Sequence, residues 1–408
     1  MVQLTVDIGG RPGIDCRGFC TYCYFKHARD VPPFGCKYCL PFTKGCDYCS
    51  RSVQEKYSGF LPLREVADNV LSDLQRLSGD LTRITISGGG DPSCYPEFTD
   101  LIELLSTLEA PLHIGYTSGK GFDNPDIADF LVEKGLTEIS FTVFSSNPDL
   151  REQYMHDPTP AASLEVLARL SRMIDVYSAL VILPGVNDGD ALTETIRWLE
   201  SVGVKGVILM RFANTYNQGL ILNNAPVIPG QTIQSVEQFA DLVRKVKSIT
   251  SLRVSGTPLC DPELQSPFML ANEPEMLETL PTIRKNAGII TGSIAGPFIS
   301  KILQKRGGEN LVIQVKKEIA DLITIDDLKG LSDSNLPDTL IIPGRSFVHI
   351  REAEELFSRE GVIRTIIRGP DMLTADGETS MGMTRDEVLT LELDGFRSLI
   401  NLINQWGN

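Results

Sequence analysis

The chain is expected to fold as an α/β protein: a partial TIM-like barrel, a cysteine-rich loop after its first strand, and a smaller Rossmann-like α/β unit toward the C-terminal end. Three observations predict this. From Leu4 to about Gly256, short β-branched runs alternate with amphipathic helical stretches, and strand–helix repetition gives a parallel sheet with helices outside. Seven of the nine cysteines fall between Cys16 and Cys49, directly after the first strand. Past Leu280 the composition shifts to short apolar strands that end in glycine-containing turns. An open doubly wound sheet is the main competitor to the barrel.

In order, the first strand is expected over Leu4–Ile8, ending in Gly9-Gly10 and opening into the cysteine loop. Helix Arg64–Leu77 leads to strand Leu81–Ser87, helix Pro96–Leu108 to strand Leu112–Thr117, and helix Asp126–Lys134 to strand Glu138–Val143. Helix Ala162–Met173 precedes strand Val176–Leu183, helix Ala191–Val202 precedes strand Gly206–Met210, and helix Ser235–Ile249 runs into strand Leu252–Ser255. The C-terminal unit reads as a strand near Ala287–Thr291, helix Ile299–Lys305, strands Leu311–Val315 and Thr339–Ile342, helix Ile350–Ser358 and strand Val362–Ile367. Four segments follow: 1–30 with the first strand and cysteine loop, a four-cysteine metal-binding loop over 31–58, the barrel over 59–270, and the C-terminal domain over 280–408.

The 408 residues allow two to three domains. Apolar content of 42% and charged content of 22% are ordinary for a globular protein. No apolar run is long enough to span a bilayer and no signal peptide opens the chain, so a cytoplasmic protein with no membrane partner is expected. A net charge of −15 argues against a nucleic-acid surface, which needs a basic patch. Nine cysteines are too few for a disulfide scaffold in a chain this long, and their clustering argues for metal in a reducing compartment.

Cys16, Cys20 and Cys23 are spaced C-x3-C-x2-C. Three thiolates hold three irons of a [4Fe-4S] cluster and leave the fourth without a cysteine, whereas electron-transfer clusters ordinarily have four. With Tyr22 before the third cysteine, the spacing resembles the signature of the radical S-adenosylmethionine (SAM) superfamily, and a zinc knuckle is the bland alternative. The resemblance implies that the open iron chelates SAM and that the cluster splits it to a 5′-deoxyadenosyl radical. A second group, Cys36, Cys39, Cys46 and Cys49, makes two C-x2-C pairs. Four sulfurs suit a structural Zn²⁺ or a mononuclear Fe, and the sequence does not choose between them.

The expected strand exits carry the next motifs. Gly88, Gly89, Gly90 and Asp91 precede Pro92; this stretch resembles the Gly-Gly-Glu-Pro turn of radical SAM enzymes, which implies cofactor contact, with an extra glycine ahead of the acid. Tyr116 lies in Gly115–Gly121. It reads first as core, and second as a catalytic residue at the barrel mouth, a displaceable iron ligand or radical relay. Ser145 and the run Arg151–Asp157, with Asp157 at its end, are candidate SAM contacts, and Asn187 lies in a loop that resembles the adenine-contacting loop of the superfamily.

In the C-terminal unit, Gly292, Ser293, Pro343, Gly344 and Arg345 stand at strand ends, where glycines let a large planar cofactor approach the backbone; a dinucleotide is one candidate, though no G-x-G-x-x-G is present, and packing alone is the equal alternative. Asp7–Gly13 leading into Cys16, the C-x2-C pairs, Gly115–Gly121 and this α/β unit together resemble the methanogenesis marker protein 10 family of methanogenic archaea. That resemblance implies a cobalamin-dependent radical SAM methyltransferase that methylates an unactivated carbon of an arginine in the α subunit of methyl-coenzyme M reductase, with a low-potential electron donor as a further partner. It implies that the C-terminal unit binds cobalamin (methylcobalamin in turnover). No Asp-x-His-x-x-Gly motif is present, and an apolar side chain such as Leu322 would cover the lower face of the cobalt. Asp157, Asp188 and Asp261 are candidates to pair with the substrate guanidinium. A radical SAM peptide-modifying or activating enzyme without cobalamin is the alternative, and a non-enzymatic cysteine–metal protein a more distant one.

Overall fold

The computed structural model describes residues 2–28, 59–309, 311–331, 336–358 and 363–408. The four-cysteine loop with Cys36, Cys39, Cys46 and Cys49 lies outside the described residues. The chain divides into two compact units, the first containing 2–26, 59–212 and 227–257 among the described residues, the second 213–226 and 258–408.

The first unit is a seven-stranded sheet in the order β1-β2-β3-β4-β5-β6-β7. Its strands are β1 (Val2–Asp7), β2 (Leu81–Ser87), β3 (Leu112–Thr117), β4 (Leu136–Thr142), β5 (Asp175–Ile182), β6 (Gly206–Arg211) and β7 (Arg253–Thr257). Every neighbouring pair is parallel. Strand order follows chain order, as in a partial TIM-like barrel, and all strand C-termini share one end. β5 and β6 are apolar on both faces: Val176, Leu180 and Ile182 are buried on one face of β5 and Ala179 and Val181 on the other, and Val207 and Leu209 are buried on one face of β6 and Ile208 on the other, as a parallel sheet covered by helices requires. Burying each of these Val, Leu or Ile side chains is worth roughly 1.5–3 kcal/mol.

The helices keep their apolar stripe toward the sheet. The helix Val236–Lys247 buries Phe239, Ala240, Val243 and Val246, the 3–4 spacing of one face. It begins with a reciprocal cap in which Ser235 accepts the Gln238 N–H and Gln238 accepts the Ser235 N–H. One helix the sequence reading lacked, Pro148–Met155, follows β4. It starts at Asn147, whose side chain accepts the N–H groups of Asp149 and Leu150.

A buried histidine in this sheet gives a pH signature. His113 on β3 meets Thr85 Oγ1 at 3.2 Å through Nδ1. Burial, then the Arg83 charge, pull its pKa down to about 4. Glu138 lies 3.6 Å from Nε2 and would favour the imidazolium, but Arg83 already holds that carboxylate at 2.7 Å. His113 is therefore neutral in the native state at pH values where the unfolded chain begins to bind a proton. Its contribution is intact above the unfolded pKa and is lost as pH falls from about 6.5 toward 4, up to about 3 kcal/mol. Urea unfolding of wild type and His113→Gln across pH 4–7.5 checks this: wild type should lose more stability on the acid side than the variant.

The second unit is a four-stranded parallel sheet in the order β11-β10-β8-β9. The strands are β8 (Gly288–Thr291), β9 (Val312–Gln314), β10 (Thr339–Ile342) and β11 (Thr365–Arg368). From β8 the chain goes first to one side (β9), then to the other (β10, β11), so the order reverses between β8 and β10. The crevice outside the strand ends at such a switch point is the usual ligand position in open α/β sheets.

The C-terminal stretch of the second unit runs from 258. Asp261, 1% exposed, accepts the Ser380 hydroxyl at 2.6 Å. Glu392, fully buried, accepts the N–H groups of Met269 and Leu270. It lies on the helix Arg385–Trp406, which was not foreseen and which buries Val388, Leu389, Phe396, Leu399, Ile400 and Ile403. Gly395 lets this helix close on the preceding loop, because a Cβ there would sit 2.6 Å from the Met372 carbonyl. No described helix is long and apolar enough to cross a membrane.

Candidate active site

The three-cysteine loop leaves β1 at the C-terminal end of the sheet. Gly9 and Gly10 have φ of +66° and +96°, a region open to glycine. They let the chain run against the glycine turn after β2: a Cβ on Gly88 would lie 2.5 Å from the Gly9 carbonyl, and one on Gly89 2.4 Å from that of Gly10. Gly90 donates its N–H to Gly9 at 3.1 Å. The Gly88–Gly90 turn thus sets where the cysteine loop starts.

Within the loop, Cys16 Sγ accepts the Gly13 N–H at 3.3 Å, and the Cys20 thiol donates to the Met155 carbonyl at 3.6 Å. Cys23 N–H donates to Cys20 O at 3.0 Å. Burial, then Asp91, push the Cys16 thiol up to about 12. Burial also raises Cys20, and takes Cys23 to about 11. Such thiols are inert as nucleophiles and become anionic ligands when a metal displaces the proton.

Tyr22 is buried and stacks on Phe144 at 5.0 Å, which stacks on Tyr154 at 5.4 Å. Thr21 N–H donates to the Tyr154 carbonyl at 2.7 Å. The Tyr22 hydroxyl has no nitrogen or oxygen partner and lies beside the Cys20 sulfur, with burial and then Cys20 raising its pKa well above the usual tyrosine value. Three soft donors on one loop, with a buried hydroxyl waiting on sulfur, fit an iron–sulfur cluster. Among the described residues no group of three or more His, Cys, Asp or Glu side chains is placed to hold a single metal ion; a cubane's cysteines bind different irons.

The polar residues expected to touch the cofactor make hydrogen bonds within the protein. Asp91, 7% exposed, accepts Ser93 N–H and Oγ, Thr117 Oγ1, Ser118 N–H and the Ser118 hydroxyl. It binds the turn after β2 to the loop after β3. Asn187 is equally occupied: Oδ1 accepts Leu183 N–H at 2.7 Å, and Nδ2 donates to Phe144 O and Val181 O. Ser145 accepts the Asn147 N–H at 3.1 Å and faces Thr195. Asp157 does pair with a guanidinium, but with the protein's own Arg151, at 2.6 Å and with both side chains fully buried. Asp261 is likewise committed internally. Asp188, half-buried, accepts the Gly185 N–H at 3.0 Å.

Tyr116 is not core. At 38% exposure it stands near the C-terminal end of β3, one residue before the buried Thr117. An open depression of about 670 Å³ beside the run after β4 is lined by Asp149, Glu152, Gln153, His156, Asp157 and Pro158. Cys94, outside the loop, has its thiol pushed to about 12 by burial and Asp91.

In the second unit the candidates gather at the switch point. Gly292 and Ser293 follow β8, and Ser293 N–H donates to the Lys317 carbonyl at 2.9 Å. A Cβ on Gly292 would lie 2.4 Å from Glu318 O, and one on Gly344 2.2 Å from Pro370 O. Pro343 and Gly344 carbonyls, after β10, accept from Arg368. Arg345 faces Asp321 at 3.7 Å. Leu322, partly buried, lies against Gly219.

Residues 43–199 match the model of the Radical SAM superfamily. This segment is similar to a radical SAM domain. The matched segment covers the Gly88–Asp91 turn and the loops after β3, β4 and β5, and starts after the three cysteines. No curated protein matches the chain. Among solved structures the chain is similar to Streptococcus suis SuiB bound to the precursor peptide SuiA, at 10% identity and a TM-score of 0.39, over 60% of this chain and 45% of that one. It is similar to coproporphyrinogen III oxidase (HemN) from Escherichia coli, at 14% identity and a TM-score of 0.39, over 60% and 51%. It is also similar to a radical SAM methyltransferase from Sphaerobacter thermophilus, at 19% identity and a TM-score of 0.36, over 52% and 61%. The chain spans about half the length of the first two structures.

Proposed function

We propose that this chain is a cobalamin-dependent radical SAM C-methyltransferase that modifies an unactivated sp3 carbon of an arginine side chain, the substrate being the α subunit of methyl-coenzyme M reductase. The observation that carries the reading is the presence of two cofactor-type rims in one chain. One is the three-cysteine loop that leaves β1 of the radical SAM domain. The other is the β8/β10 switch point with Gly292-Ser293 and Pro343-Gly344-Arg345 at its strand ends.

When bound, the cluster with SAM supplies a hydrogen-abstracting radical and methylcobalamin supplies the methyl group, chemistry that an arginine methylene has no acidity or nucleophilicity to undergo otherwise. Cys16, Cys20 and Cys23 would hold the cluster, and Cys36, Cys39, Cys46 and Cys49 a structural Fe or Zn. Asp91, Asn187 and Arg151 position loops rather than contact substrate, and the Tyr22–Phe144–Tyr154 stack seals the cysteine loop from water on one side. Leu322 would supply an apolar contact to the cobalamin. His349, in the second unit beyond 257, uses Nδ1 as a helix cap for the Arg351 N–H at 3.2 Å.

The test is anaerobic incubation of reconstituted protein with SAM, a low-potential reductant, methylcobalamin and an arginine peptide, read by mass spectrometry. Methylated arginine with both 5′-deoxyadenosine and S-adenosylhomocysteine supports the proposal. Deoxyadenosine without methylation, together with no cobalamin difference spectrum, sinks it in favour of a peptide-modifying enzyme without cobalamin.

A further inference from the structure

Lys120 is one of the largest fully buried side chains of the protein, at 0% exposure. It lies in the loop after β3, and its ammonium donates to the Gly18 carbonyl at 2.8 Å. Gly18 is midway between Cys16 and Cys20. In return Arg17 reaches back and donates to the Lys120 carbonyl at 2.9 Å and to Asp123 at 2.6 Å. The cysteine loop and the β3 loop are therefore latched in both directions.

The latch alone does not explain a buried positive charge. Among the described residues Lys120 makes no ion pair with a carboxylate. Asp91, in the same network, has both oxygens filled by neutral donors. A buried ammonium is costly unless an anion compensates it. Its carbonyl partner Gly18 stands two residues from both Cys16 and Cys20, so the charge is fixed within the cysteine loop.

We propose that Lys120 is the buried counter-ion of the cluster held by Cys16, Cys20 and Cys23, and that its fixed charge raises the reduction potential of that cluster. The inference rests on the radical SAM reading of the loop. Reduction adds one electron from an external low-potential donor and makes or breaks no bond; the added negative charge is stabilised by the ammonium, net charge being one determinant of cluster potential.

The experiment is anaerobic iron–sulfide reconstitution of wild type, Lys120→Met, Lys120→Arg and Arg17→Met, followed by iron analysis and potentiometric titration of the reduced-cluster EPR signal without SAM or peptide. At the wild-type midpoint, Lys120→Met should show a reduced-to-oxidised ratio about tenfold lower, equivalent to about 59 mV for a one-electron couple. Lys120→Arg, which keeps the charge, and Arg17→Met, which breaks the latch but removes a charge already paired with Asp123, should stay within about twofold of wild type. A Lys120→Met variant with full iron and an unshifted midpoint overturns the proposal, as does an equal shift in Arg17→Met. If Lys120→Met takes up no iron, Lys120→Arg decides: iron at the wild-type midpoint supports the charge, and no iron there assigns the lysine to loop shape alone. Failure of wild type to take up the cluster is a separate result, against the radical SAM reading itself.

Discussion

Replacing Arg151 with methionine is expected to lower the unfolding free energy by about 3–5 kcal/mol, the cost of leaving one member of a buried ion pair uncompensated. Arg151 and Asp157 are both completely buried. The guanidinium also donates to Val143 O at 2.7 Å, Ser118 O at 2.9 Å and Thr142 O at 3.2 Å, so one side chain joins the exits of β3 and β4 to the helix Pro148–Met155. The Asp157 carboxylate in turn accepts the Thr159 N–H at 3.0 Å, which orders the turn into the next helix. Removal of the cation strands that carboxylate and frees three carbonyls at once. Urea unfolding of Arg151→Met and Asp157→Asn checks the size of the effect, and the double variant Arg151→Met/Asp157→Leu should recover part of it, because paired apolar replacements leave no buried charge. A loss below about 1 kcal/mol in Arg151→Met would show that the pair is hydrated in solution.

How far such a network is legible in a sequence depends on whether its cause is local. Strands Leu81–Ser87, Leu112–Thr117 and Thr339–Ile342 have the bounds that their β-branched runs suggest, since period and propensity are written residue by residue. The helix Arg385–Trp406 also has a local signal: Thr384 and Glu387 form a capping box, and the apolar stripe from Val388 to Ile403 follows it. The helix Pro148–Met155 is harder. It buries only Arg151 and Met155, so it has no apolar face to show, and its Asn147-Pro148 start was the sole local cue.

The candidate site divides in the same way. The cysteine spacing and the glycine turn are local motifs, and the structure brings Gly88–Gly90 against Gly9 and Gly10 beside the loop that bears Cys16. Asp91, Ser145, Asp157 and Asn187 read as cofactor contacts because a polar residue on a rim loop is equally well written for a ligand or for the fold. Which it serves depends on partners far away in the chain, such as Thr117 for Asp91 and Phe144 for Asn187. Lys120 shows the reverse: its partner Gly18 is 102 residues distant, and nothing in the Ser118-Gly119-Lys120-Gly121 stretch announces a buried charge.

The largest functional effect should come from the triple replacement of Cys16, Cys20 and Cys23 by alanine. Iron at the loop should fall to none and SAM cleavage should disappear, because all three thiolate donors are gone and no other described cysteine stands on that loop. The comparison that gives this outcome meaning is Cys94→Ala. Cys94 lies in the turn after Asp91, its sulfur 3.8 Å from Ser93 Oγ, and burial keeps its thiol protonated with a pKa of about 12. It should be dispensable for iron uptake and for deoxyadenosine formation. Loss of the cluster in Cys94→Ala, or residual cleavage in the triple variant, would move the ligand set and undo the placement of the radical chemistry at the β1 exit. The fold should survive the triple change, since the loop is held by backbone bonds such as Thr21 N–H to Tyr154 O and by the Arg17–Asp123 pair rather than by its thiols. Far-UV circular dichroism with cobalamin difference spectroscopy on the same protein then separates the two units. Retained cobalamin binding in the triple variant would show that the proposed cobalamin site does not depend on the three cysteines.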